Sequence, residues 1–268
     1  MFCIITKQKL FLFSLIVTVA VAGIVSSFVF ASSQTSWGLC FREANKVPEG
    51  NAKAEDLLKY DAYFVGDTQK KNIYLTFDVG YEAGFTENIL DTLKKNDVKA
   101  TFFIVGNYFD SNPDTIKRMD EEGHIVANHT LTHPNMSKMS TFEDFKAQIE
   151  PNEQKYKNIT GKDMKKYYRP PQGVYNIQNL QDAQNLGYKT IFWSVAYVDW
   201  ERDNQPTHQK AMETLQKRIH DGAIILLHST SKTNMEILDE FINTLKDQGY
   251  VFSSLDELCE WLNLLLIM

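Results

Sequence analysis

Six polar side chains that could take part in acid–base or metal chemistry, directly or by fixing a neighbour, follow predicted strands of this chain. They are Asp78, His129, His133, Arg169, Asp199 and His228. Because the carboxyl ends of parallel strands meet at one edge of an α/β fold, we expect these side chains to converge on one rim. An isolated acid after a strand is usually a helix cap, and an isolated histidine is usually a core or surface group. The prediction therefore depends on their joint placement.

His129 and His133 lie four positions apart, a spacing that aims two imidazoles at one metal ion if the segment takes a helical turn. Pro134 disfavours the helical region for the residue before it, so we expect a shaped loop instead. This spacing is also common by chance, and alone it is a weak signal for a metal.

The other four residues suggest acid–base chemistry. A guanidinium from Arg169 would keep the Asp78 carboxylate ionised and ready to take a proton from water. A carboxylate from Asp199 would favour the protonated form of His228, which makes His228 a candidate acid for a departing amine.

Short β-branched and aromatic runs alternate with amphipathic stretches from Asn72 onward, as expected for βα repetition. The predicted strands are NIYLTFD, ATFFIV, HIVANH, KYYRP, YKTIFWSV, GAIILLH and a short one near Tyr250. About seven such strands predict a parallel α/β sheet, and their number favours a barrel over an open, doubly wound sheet. A capping box of Ser140 and Glu143 predicts the start of one helix, which Pro151 should kink.

The N-terminus has the features of a targeting segment. Lys7 and Lys9 precede an apolar run over residues 10–31, which predicts either a cleaved signal peptide or an uncleaved membrane anchor. We expect residues 32–70 to form an N-terminal extension and residues 71–268 a single catalytic domain, exported as a monomer. Loss of residues 1–31 removes two lysines and no acidic residue, so the net charge of the exported part is −8 instead of −6. Nucleic acid is therefore not an expected partner.

Two cysteines, Cys40 and Cys259, remain in the exported part of the chain. They could pair, but a disulfide scaffold needs more cysteines in a shorter chain, so we expect two free, buried thiols.

Five motifs occur in the order that is typical of polysaccharide deacetylases of the NodB-homology type, carbohydrate esterase family 4. They are TFDVGYE, HTLTHP, RPPQG, the Val198-Asp199-Trp200 segment and LLHS. The resemblance covers roughly residues 72–252. More narrowly, SWGL, GDTQKKNIYLTFD, GYE and LLHSTSK resemble the PdaA-type subgroup, the delta-lactam-biosynthetic de-N-acetylases of spore cortex peptidoglycan.

The resemblance implies a distorted (β/α)7 barrel, hydrolysis of an N-acetyl group and a divalent metal such as zinc. By motif, Asp78 resembles the catalytic base, His129 and His133 the metal ligands, and Arg169 the residue that orients the base. His228 resembles the catalytic acid, which Asp199 would tune.

The chain departs from the family pattern at Val79. Most of the family has a metal-binding Asp at this position, and the subgroup usually has Asn. Valine has no lone pair to donate, so we expect weaker metal binding. Glu82 could in principle substitute, although an exposed or sugar-contacting Glu is the more common case.

We expect the substrate to be an N-acetylated glycan. Tyr81, Gln172 and Trp200 are the predicted substrate contacts, whereas Trp193, within a strand pattern, is expected in the core. The resemblance indicates N-acetylmuramic acid in peptidoglycan. Three alternatives stay open: an N-acetylglucosamine or chitooligosaccharide deacetylase, a metal-independent hydrolase, and a non-catalytic glycan-binding descendant of the fold.

Overall fold

A curled parallel β-sheet forms the centre of the computed structural model, which describes residues 34–260. The strands are β1 (Thr35–Ser36), β2 (Leu39–Cys40), β3 (Glu49–Gly50), β4 (Ala62–Tyr63), β5 (Asn72–Val79), β6 (Thr101–Ile104), β7 (Ile125–Asn128), β8 (Tyr167–Tyr168), β9 (Val174–Tyr175), β10 (Lys189–Ile191), β11 (Ala223–His228) and β12 (Val251–Phe252). The sheet has the order β11-β5-β6-β7-β8-β10-β4, with β12 added to β5, and all its pairs are parallel.

Helices connect and cover these strands. They are α1 (Ala54–Leu58), α2 (Thr86–Lys95), α3 (Gly106–Ser111), α4 (Pro113–Glu121), α5 (Phe142–Thr160), α6 (Ile177–Asn185), α7 (His208–Arg218) and α8 (Lys232–Asp247). Alternate β5 residues from Ile73 to Val79 share an apolar cluster with buried residues of α2 and α8. Since neighbouring strand residues point to opposite faces, Asp78 is directed away from this cluster.

The sheet closes where the chain runs on past β10. Val195 forms a parallel bridge with Ile225 of β11, and the Leu226 N–H donates to the Val195 carbonyl at 2.8 Å. The predicted distorted (β/α)7 fold is confirmed. Its closure, which hydrophobic periodicity could not show, depends on this short contact.

Helix α5 starts one residue later than the predicted capping box. The Thr141 hydroxyl, not that of Ser140, accepts the Asp144 N–H, so the capping-box assignment was wrong. Pro151 lies inside the helix and does not end it.

The segment before β5 packs into the same compact unit as the barrel. It contributes β4 to the end of the sheet and buries Trp37 against Phe64 and Phe192. The proposed boundary near residue 70 stays a prediction.

Both cysteines within residues 34–260 are free. Cys259 is buried, as expected, but Cys40 is exposed, which corrects the prediction of two buried thiols. The predicted targeting segment, residues 1–31, lies outside the described residues. Among the residues that are described, no helix is long and apolar enough to cross a membrane.

Candidate active site

The register between β5 and β11 places Asp78 directly beside His228, since the two residues are paired on neighbouring strands. Both side chains line a cavity of about 810 Å³. His129, His133, Gln172 and Trp200 line the same cavity. Residues from distant parts of the sequence therefore meet at the carboxyl edge of the sheet, as their positions after strands predicted.

Arg169 fixes the position of the Asp78 carboxylate at the cavity. Its side chain is fully buried, and Nη1 donates to Asp78 Oδ1 at 2.8 Å. Nε donates to the Ile191 carbonyl at 3.0 Å, and the guanidinium lies 4.1 Å from the centre of the Phe103 ring. Burial favours the neutral acid, but the positive charge of Arg169 outweighs it and holds the pKa of Asp78 below its ordinary value. Asp78 is thus an ionised carboxylate in a buried position.

His129 presents its Nε2 atom to the Asp78 carboxylate. Its Nδ1 lies 2.8 Å from the Arg169 carbonyl, and since a carbonyl can only accept, Nδ1 carries the proton. Nε2 lies 3.4 Å from Asp78 Oδ2. Burial lowers the pKa of His129 to about 4, so the ring is neutral near pH 7 and keeps a lone pair on Nε2.

His133 lies beside His129 with 4.9 Å between the ring centroids. Burial also lowers the pKa of His133. The connecting segment is not helical, and both Thr130 and His133 adopt positive φ angles, of 70° and 56°. The shaped loop predicted from Pro134 is confirmed.

Two buried asparagines hold this loop, and sequence reasoning missed both. The Asn128 side-chain oxygen accepts the Thr130 N–H at 3.0 Å, and its amide nitrogen donates to the Ile149 carbonyl of α5 at 2.9 Å. Asn152 of α5 donates to the Thr130 carbonyl at 3.0 Å. The sequence held a signal for Asn128, which directly precedes the candidate ligand His129, but none for Asn152.

A complete metal site is not formed by the described side chains. Among residues 34–260, no group of three histidine, cysteine or acidic side chains could hold a metal ion. Val79 is fully buried; it belongs to the apolar cluster under α2 and also lines the cavity. Two neutral imidazoles fall short of the three protein ligands of a catalytic zinc site. The residues present do not fit the full site that the resemblance implies.

Glu82 does not supply the third ligand, because it caps helix α2. Its Oε1 accepts the N–H groups of Gly84 and Phe85, at 2.5 and 3.0 Å, and its Oε2 accepts the Tyr108 hydroxyl at 2.6 Å. These donors hold the pKa of Glu82 below its ordinary value although burial opposes them. Both oxygens of Glu82 accept hydrogen bonds within the protein, and among residues 34–260 the side chain forms no three-residue metal group with the histidines.

Asp199 holds His228 on the other side of the cavity. Asp199 is buried, and its Oδ1 accepts the His228 Nδ1–H at 2.7 Å while Oδ2 accepts the His228 backbone N–H at 2.8 Å. Burial lowers the pKa of His228, but the Asp199 charge, with a smaller effect from Asp78, raises it above its ordinary value. With Nδ1 engaged, Nε2 is the nitrogen left to donate a proton.

Asn234 completes this arrangement and was not predicted. Its amide nitrogen donates to Asp199 Oδ2 at 2.5 Å and to the His228 carbonyl at 3.1 Å, and its oxygen accepts the Tyr197 hydroxyl. Asn234 is a polar residue on the apolar stripe of α8, which is the pattern that could have revealed it.

Aromatic side chains surround the opening. Tyr81 and Trp200 are 58% and 54% exposed, and the Trp200 ring centroid lies 5.7 Å from that of His228. Gln172 is exposed with a φ of 57°. The expectation that Trp193 lies in the core is wrong, because the side chain is half-buried and lines the cavity. Strand β10 ends at Ile191, so the strand alternation no longer fixes its direction.

A parallel α/β barrel with an ionised carboxylate and a carboxylate-bound imidazole at one rim defines the class as a barrel hydrolase. The family model for polysaccharide deacetylases matches residues 65–191. The peptidoglycan-N-acetylmuramic acid deacetylase PdaA of Bacillus subtilis (strain 168) is 44% identical over 225 residues, covering 83% of this chain and 85% of PdaA. The chain belongs to the polysaccharide deacetylase family, carbohydrate esterase family 4, whose active members hydrolyse amide bonds and are generally metal-dependent.

Solved structures give the same result. The structure of Bacillus subtilis PdaA, a family 4 carbohydrate esterase, matches with a TM-score of 0.81 and 41% identity over 85% of this chain and 97% of that one. A family 4 pseudoenzyme from Bacillus anthracis matches with a TM-score of 0.68 and 31% identity, over 74% and 68% of the two chains. The fold is therefore shared by active and inactive relatives, and activity has to be argued from the site.

Proposed function

We propose that this protein removes the N-acetyl group from N-acetylmuramic acid in peptidoglycan, as a step of muramic delta-lactam formation in spore cortex. The observation that carries the proposal is the pair of Asp78 and His228, adjacent on β5 and β11 and each bonded to its own partner of opposite charge. Similarity to PdaA supports the choice of sugar. We further propose that the protein acts outside the cytoplasm, after export or tethering through residues 1–31.

Asp78 acts as the general base in this proposal. Arg169 keeps it ionised and fixes one of its oxygens, so the other can take a proton from water as the water attacks the acetamide carbon. His129 and His133 stay our proposed metal ligands, but the acid–base steps do not depend on them.

The tetrahedral oxyanion needs hydrogen-bond donors at the wall of the cavity. The backbone N–H of Gln172 is one candidate donor. The two residues before it, Pro170 and Pro171, have no N–H to donate, but their rings stiffen the turn. A donor that is fixed before the reaction stabilises the transition state more than the substrate.

His228 acts as the general acid. Because Asp199 raises its pKa, the imidazolium persists to a higher pH than in a free histidine, and its Nε2–H can protonate the departing amine. The products are acetate and a glycan with a free amino group.

Acetate release from peptidoglycan fragments, with mass spectrometry of the fragments, tests the proposal. We expect the full chain to remove one acetyl mass from muramic acid, and Asp78→Asn and His228→Ala to lose at least about a hundredfold in kcat. Asp114→Asn and His208→Ala, both exposed in helices α4 and α7, are matched controls that should keep full activity. Retained activity in either site variant would refute its role.

Two other outcomes point to the alternatives. Acetyl loss from glucosamine residues or chitooligosaccharides alone would identify an N-acetylglucosamine deacetylase. Binding to peptidoglycan with no acetate released would identify a glycan-binding descendant, which Val79 and the likeness to a Bacillus anthracis pseudoenzyme make a specific second candidate.

A further inference from the structure

The N-terminal arm, here defined as residues 34–50, lies against the wall of the active-site cavity although it precedes the segment matched by the family model, residues 65–191. Strand β1 pairs antiparallel with β9, which directly follows the Gln172–Gly173 turn. The Gln34 side chain accepts hydrogen bonds from Asn135 and Ser137, just after His133. The arm thus contacts two of the loops that form the cavity.

Trp37 makes the closest of these contacts. Its backbone N–H donates to the Gly173 carbonyl at 2.8 Å, and its indole Nε1–H donates to the Trp193 carbonyl at 3.0 Å. The indole is 6% exposed and stacks on Phe192 with 4.8 Å between ring centroids. One residue therefore joins both cavity-lining segments, the Gln172–Gly173 turn and Trp193.

The Gln172–Gly173 turn needs external support. Both residues have positive φ angles, 57° and 65°, and a glutamine adopts this backbone only where surrounding contacts hold it. A Cβ on Gly173 would lie 2.8 Å from the Trp193 ring and 3.1 Å from Trp37 Cβ, so the turn is packed tightly between the two tryptophans.

We propose that Trp37 is a positioning residue for the reaction, which holds the Gln172–Gly173 turn and Trp193 in the cavity wall. The inference rests on the proposed function. Trp37 belongs to the SWGL motif, which thereby fixes the backbone N–H of Gln172, the proposed donor to the oxyanion. A donor that matters only in the transition state changes kcat and leaves KM unchanged.

Trp37→Phe is the variant that tests this inference, because it keeps a ring on Phe192 and removes the Nε1–H. We expect kcat to fall about fivefold with KM unchanged, the size expected for one lost hydrogen bond. Amide hydrogen exchange of residues 193–195 should quicken in the same variant, because the lost Nε1–H bond is the one to the Trp193 carbonyl, whereas the backbone bond to Gly173 is kept. Trp37→Ala should have a larger effect on both readouts and a lower unfolding temperature. Arg42→Gln is the matched control, since Arg42 lies on the same arm and forms an exposed ion pair with Glu49.

A folded Trp37→Phe variant with wild-type kcat, or with a raised KM alone, would overturn the inference, as would unchanged exchange in residues 193–195. Failure of the proposed function has a different signature, because the wild-type chain would then release no acetate from any glycan tested. The exchange measurement needs no substrate, so the positioning role can be refuted whatever the activity of the wild-type chain.

Discussion

Removing the Arg169 guanidinium tests the electrostatic basis of the site. Arg169→Met keeps much of the side-chain length but leaves the Asp78 carboxylate buried without its counter-charge, and leaves the Ile191 carbonyl without its donor. Breaking a buried ion pair from one side costs about 3–5 kcal/mol. For a chain of this size each kcal/mol lowers the unfolding temperature by about 2–4 °C, so we expect a decrease of roughly 10 °C.

The double variant Asp78→Asn/Arg169→Met separates this charge effect from lost packing. With both charges removed, no unpaired ion is left in the core, so the double variant should be more stable than Arg169→Met alone. Urea unfolding of the four proteins in the cycle at pH 7, with circular dichroism, gives the coupling free energy, which we expect to exceed about 1 kcal/mol. Additive effects, or an Arg169→Met protein within about 1 kcal/mol of wild type, would refute the reasoning.

Three further predictions concern the rest of the site. Asp199→Asn removes the charge that raises the pKa of His228. Because a general acid works only below its pKa, the alkaline limb of the kcat/KM profile should move to lower pH while the acidic limb stays. Val79→Asp should raise zinc affinity at least about tenfold in calorimetric titration, with Val79→Leu as control, and equal affinities would contradict the incomplete donor set. Trp200→Ala should raise KM for glycan about fivefold at constant kcat, since an exposed ring contributes to binding throughout the reaction; a fall in kcat alone would argue against stacking.

The strands that carry the site could be predicted because their apolar alternation is strong. Each of the seven predicted runs contains a strand, from β5 at Asn72 to β12 near Tyr250. Strand β4 could not be found in the same way, since Ala62 and Tyr63 are too short a run to show any period. The closure through Val195 and Ile225 is a long-range contact, and local pattern holds no information about it.

Residues with acid–base side chains at strand ends could be predicted from the sequence. Residues that hold those side chains in place could not. Asp78 and His228 stand at strand ends, so their convergence followed from the topology. Glu82 follows the first strand of the site, and Asn234 interrupts the apolar stripe of α8, so the sequence marks both as polar residues with a local role but names no partner for either. Only coordinates show that the first caps a helix and the second holds Asp199.

The distance between base and acid is set by the sheet and not by loops. Neighbouring strands lie about 4.8 Å apart, and the register of β5 and β11 makes Asp78 and His228 direct neighbours. The register that pairs Asp78 with His228 does not depend on which side chain stands at position 79. Each member of the pair keeps its own oriented partner, Arg169 or Asp199, as general base and general acid chemistry requires. The intact partners, more than the missing ligand, are therefore the features that argue for turnover.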